Sequence, residues 1–112
     1  MLIEVTTGNN EAKKHYMKKL IQTFIETKMK TYRELEENSA EQGEERDGLR
    51  FKYLASLWMI SSVIGIMTRE DIAEQAGVSC GLLQSWEEDK TFKALVEGNY
   101  HEFLIYIVNL FA

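Results

Sequence analysis

The chain has 112 residues, 45% of them hydrophobic and 28% charged, with a net charge of −5, a single cysteine and no proline. That length suits one domain with one core and leaves no room for two. Lone Cys80 excludes an internal disulfide, as a reducing cytoplasm would favour, and a chain without proline favours long uninterrupted helices.

Residues 1 to 8 carry only Leu2, Ile3 and Val5 as larger apolar side chains after the initial Met, and read as a loose arm or a short strand. They lack a charged start followed by an apolar run, so no signal peptide is expected. From about Asn10, a plausible cap, to Asn38, the residues Met17, Leu20, Ile21, Phe24, Ile25, Met29, Tyr32 and Leu35 recur at helical spacing. Such a helix is about 43 Å long at 1.5 Å per residue, more than a compact domain of this size needs, which points to packing against another copy. Residues 38 to 48 hold two glycines and several carboxylates without apolar periodicity, and read as a solvated loop.

A second helix is predicted over Leu49 to Ile66, with apolar residues nearly all round from Tyr53 onward, which places it at the centre of the fold. A last helix is predicted from Lys90 or Thr91 to the end, amphipathic through Phe92, Leu95 and Val96. Its second half, Phe103 to Phe111, is apolar on most sides and holds good β residues, but helix is expected over strand, because a C-terminal strand would have no partner except residues 2 to 5. The uncharged runs Leu54 to Met67 and Phe103 to Ala112 are both shorter than the roughly 18 to 20 residues that span a membrane, so burial or subunit contact is expected of them.

Between these two helices lies the most specific feature of the chain. Residues 69 to 86 read as a short helix, a glycine-centred turn and a second short helix. Thr68 is the first N-cap; Ile72, Ala73 and Ala76 share one face; Gly77 follows where a left-handed backbone costs least. Val78 fills the corner, Ser79 caps the second helix, and Leu83 and Trp86 repeat at a three-residue interval to bury it. The small side chain of Ala73 lets the two backbones approach. This is the steric pattern of a helix-turn-helix.

The run Asp-Ile-Ala-Glu-Gln-Ala-Gly-Val-Ser, followed by Trp86 and Phe92, resembles the helix-turn-helix of bacterial and phage DNA-binding proteins, among them repressors, transposases and the small subunits of phage terminases. The resemblance covers Thr68 to Phe92. It implies a DNA-reading module whose second helix enters the major groove. Ser79, Cys80, Gly81, Gln84 and Ser85 would then face the duplex, with Gln84 able to pair both N6 and N7 of adenine. Arg69, Lys90 and Lys93 are the cations nearest in sequence.

Charge complicates that reading. Within Thr68 to Lys93 those three cations face Glu70, Asp71, Glu74, Glu87, Glu88 and Asp89, a local net of −3. DNA binders instead collect positive charge to displace phosphate counterions. The first helix is the basic part: across residues 11 to 33, Lys13, Lys14, Lys18, Lys19, Lys28, Lys30 and Arg33 outnumber Glu11 and Glu26. Lys13, Lys14 and Lys18 either hold DNA backbone beside the reader helix or form an ordinary solvated face that pairs with acids of a neighbouring chain.

His15 and His101 have no metal-ligand spacing with Cys80 or with paired carboxylates, and no phosphate loop or nucleophile motif is present. Neither an enzyme nor a cofactor or metal site is expected. The sequence therefore predicts an all-α, cytoplasmic, homodimeric or higher oligomeric protein of about five helices that binds DNA as a regulator or as a phage or mobile-element accessory factor. The alternative is an acidic protein-interaction module, an adaptor or an antagonist of a regulator, that keeps the helix-turn-helix as scaffold.

Overall fold

A computed structural model describes residues 2–37 and 44–112, with side chains over 11–35 and 48–112. Every element in it is helical: α1 (Leu2–Glu37), α2 (Glu44–Trp58), α3 (Ile60–Ile64), α4 (Arg69–Ala76), α5 (Cys80–Glu87) and α6 (Lys90–Phe111). Helices α2 and α3 are nearly one rod. Met59 between them keeps helical dihedrals, its N–H donates to the Ala55 carbonyl at 2.9 Å, and its own carbonyl accepts from Val63 N–H at 3.1 Å. Counted so, the described residues form the five helices expected.

Three sequence expectations are corrected. Residues 2 to 8 are neither arm nor strand, and Asn10 lies inside α1 rather than capping it. Extending a helix already nucleated by packed turns fixes only one residue per added bond, so Gly8 and two asparagines do not stop it. Residues 44 to 48, expected in a loop, open α2. Glu44, Glu45 and Asp47 are acidic residues at the first positions of α2, the end where the helix dipole favours negative charge, a start signal that apolar periodicity does not register. The remainder of the expected loop, 38 to 43, lies outside the described residues. The C-terminal segment is helix, as preferred over strand.

Helix α2 is the hub, packed against α1, α4 and α6. Ala55, Leu57 and Ile60 are fully buried with Ile21 of α1, Ile72 of α4, Leu83 of α5, and Phe92 and Phe103 of α6. Two aromatic contacts set the order of the long helices. Tyr32 stacks on Tyr53 at 4.7 Å, and Phe24 meets Phe103 edge-on at 5.3 Å. Since Tyr16 also approaches Phe111, α1 runs antiparallel to α6. A buried polar link fixes the register of α2 and α6: the Asn99 amide donates to Ser56 Oγ at 2.9 Å, and that hydroxyl donates to the Tyr53 carbonyl at 2.6 Å. At the surface the Lys28 ammonium pairs with Glu102, tying α1 to α6. Burial alone would lower the Lys28 pKa, but the Glu102 hydrogen bond and charge outweigh it and leave it raised.

Helix α1, at 36 residues, spans about 54 Å. Among the described residues its core contacts run from Met17 to Tyr32, and Glu11 to Tyr16 are exposed. Among the described residues no helix is long and apolar enough to cross a membrane.

Candidate nucleic-acid interface

The α4–turn–α5 unit is fixed by local chemistry at each junction. Thr68, extended at φ −82° and ψ 165°, caps α4 by accepting Asp71 N–H on its hydroxyl oxygen at 3.2 Å. Glu70 and Asp71 add negative charge to the first turn, where the dipole favours it. At the other end Gly77 adopts φ 73°, ψ 29°. Val78 N–H donates to the Ala73 carbonyl at 3.0 Å and Gly77 N–H to that of Glu74 at 3.2 Å, the two bonds of a Schellman cap. A Cβ at Gly77 would meet Phe51 at an ordinary 3.7 Å, so it is the left-handed backbone and not lack of space that calls for glycine. Ser79 then restarts the chain, its hydroxyl oxygen accepting Leu82 N–H at 3.1 Å.

Between the two helices Ile72, Ala73, Ala76 and Leu83 are buried, with Val78 and Trp86 half-buried against the same core. Trp86 lies 5.9 Å from Phe92, which seats α5 on the start of α6. Two ion pairs brace the unit. The Arg69 guanidinium, at the start of α4, binds Glu87 at the end of α5 through two bonds, Nε at 2.6 Å and the terminal nitrogen at 3.2 Å. That contact raises the Arg69 pKa. Asp89 accepts Thr91 N–H at 2.9 Å as the cap of α6, while its other oxygen takes the Lys52 ammonium at 3.0 Å. Its carboxyl is held below the ordinary range, first by Lys52 and then by the Thr91 amide.

With Leu83 and Trp86 turned inward, helical spacing puts Gly81, Gln84, Ser85 and Glu88 on the opposite face of α5. All four are exposed, as are Ser79 and Cys80. All five predicted reader positions are therefore accessible, Gly81, Gln84 and Ser85 on the outward face and Ser79 and Cys80 at the start of the helix. Two features of this surface were not anticipated. Glu88 shares that face, and Leu82 is exposed beside it. Leu82 and Leu83 are adjacent, so only one of the pair can turn to the core; the i, i+3 step from Leu83 to Trp86 identifies which.

The predicted cations divide differently. Arg69 is already committed to Glu87. Lys93 lines a groove of about 290 Å³ together with the carboxylates of Glu87 and Glu97, which oppose its charge. Lys90 is exposed at the first residue of α6. The exposed Lys13, Lys14 and Lys18 do not stand beside the reader helix: they flank Tyr16, which contacts Phe111 at the far end of α6, whereas α5 meets Phe92 near its start. The 19 residues from Phe92 to Phe111 correspond to about 28 Å of helix. A single duplex touching both would have to run along α6 for about eight base pairs.

His15 and His101 are exposed, and among the described residues no group of three or more His, Cys, Asp or Glu side chains could hold a metal ion. No family model, curated protein or solved structure matches the chain.

Proposed function

We propose that this chain is a small cytoplasmic DNA-binding protein of helix-turn-helix type, acting as an oligomer in transcription regulation or as a phage or mobile-element accessory factor. The observation that carries the reading is the presentation of α5. A capped helix is braced on its inner side by Leu83 and Trp86 and offers Cys80, Gly81, Gln84 and Ser85 outward. Gln84 is the base reader, its amide forming a bidentate pair with adenine. Ser85 and the free O–H of Ser79 donate to phosphate oxygens.

Gly81 supports close approach of a partner. Glycine inside a helix costs about 1 kcal/mol relative to alanine, and an added Cβ there would meet nothing within 4 Å. The fold has no steric need for it; a partner backbone pressed onto α5 does. Phosphate contacts fall to Lys90, and the weak positive field predicts modest affinity.

One observation favours the second reading, an acidic protein-interaction module. Glu88 stands on the same face as Gln84, and Glu87 holds the Arg69 guanidinium in an ion pair. Titration of a labelled mixed-sequence duplex separates the two. DNA binding predicts association at about 50 mM salt that weakens steeply by about 200 mM. No association at the lower salt would leave the interaction module as the surviving reading.

A further inference from the structure

The last turns of α6 are apolar on nearly every side, a property of helices buried all round, yet half of that surface is open. Helix α1 covers the side of Phe103 and Tyr106. On the outer side Leu104 is 41% exposed, Ile105 49%, Val108 66% and Phe111 62%. Across residues 104 to 112 no side chain is charged.

The spacing of this outer stripe is specific. His101, Leu104, Val108 and Phe111 follow one another at intervals of three, four and three residues, the seam of a helix that packs lengthwise on another helix. Ala94 and Glu97 continue the same seam toward the N-terminal end of α6, so the stripe is polar in its first half and apolar in its second. With Tyr16, 52% exposed beside Phe111, the patch presents on the order of 500 Å² of apolar side chain, near the upper end of what monomers carry. Two such patches together bury about 1,000 Å², the lower bound for a specific interface.

We infer that this face is where a second copy of the chain docks, α6 against α6 about a two-fold axis near Val108. A two-fold axis requires a patch that complements itself, and an uncharged stripe with its most exposed residue at the centre does. The charges select the direction. Parallel pairing would set the Glu97 carboxylate against its counterpart in the second copy. In the antiparallel arrangement Leu104 and Phe111 meet across the axis, and the polar halves diverge into solvent. The two α5 helices then stand at the outer ends of the pair, with α6–α6 crossing angle setting their separation.

This rests on the oligomeric part of the proposed function and not on DNA binding, and its test contains no DNA. In a Cys80→Ser background, Val108→Cys is expected to form a disulfide-linked dimer under mild oxidation, and Glu97→Cys is not. Sedimentation of the unmodified chain is expected to show a concentration-dependent dimer. Val108→Glu, with helix content unchanged by circular dichroism, is expected to raise its dissociation constant by more than about tenfold. A chain that stays monomeric over the accessible concentration range would overturn the inference. So would crosslinking through residue 97 as efficient as that through 108, or a dimer indifferent to Val108→Glu.

Discussion

The two ends of α6 solve the same problem in opposite ways. At its start Asp89 caps the helix and binds Lys52 of α2, Phe92 is buried, and α5 lies across it through Trp86. At its finish the residues are more apolar, yet α1 covers one side only and Phe111 is mostly exposed. Burial here follows the number of elements that arrive, not the hydrophobicity of the segment. The start has α2 and α5 against it; among the described residues the aromatic contacts of the finish are with α1. Where apolar content exceeds the covering surface, the excess is available to a partner.

That contrast can be broken most forcefully with one aromatic from each part. Phe103, completely buried against Phe24, should cost about 3–5 kcal/mol when replaced by alanine. Phe111→Ala should change monomer stability by no more than about 0.5 kcal/mol. Urea denaturation at low protein concentration reads both. Equal losses would mean that the distal end is part of the core.

A smaller effect sharpens the account of the start. The Asp89 carboxyl, lowered in the folded chain, binds protons less readily there than in the unfolded chain. Its contribution is therefore complete above the usual aspartate range near ~3.9 and is lost as pH falls through the lower folded value. Thermal midpoints of the wild type and Asp89→Asn should differ at neutral pH and converge in strong acid. A gap that persists below the folded value would assign the effect to something other than the Lys52 and Thr91 contacts.

The α4–turn–α5 unit was legible residue by residue because its determinants are local. Thr68, Gly77 and Ser79 occupy the cap and turn positions their chemistry dictates, and Ile72, Ala73, Ala76 and Leu83 are buried as their spacing requires. The all-α class followed from the periodicities and the missing proline. The length of α1 and the start of α2 were not legible, because in those stretches propagation and the helix dipole, rather than an apolar stripe, extend the helix. The candidate site divides along the same line. Exposure of Gln84 and Ser85 follows from the position of Leu83. The pairing of Arg69 with Glu87, and the distance of Lys13, Lys14 and Lys18 from α5, depend on how α4, α5 and α1 come together, which no short-range pattern encodes.

The central claim, that the outward face of α5 reads DNA, is tested most directly by following backbone amide shifts while a mixed-sequence duplex is added at low salt. Perturbations concentrated at Cys80, Gly81, Gln84 and Ser85, with a weaker set at Lys90, are predicted. Unmoved α5 resonances, or shifts confined to Lys13, Lys14 and Lys18, would contradict it.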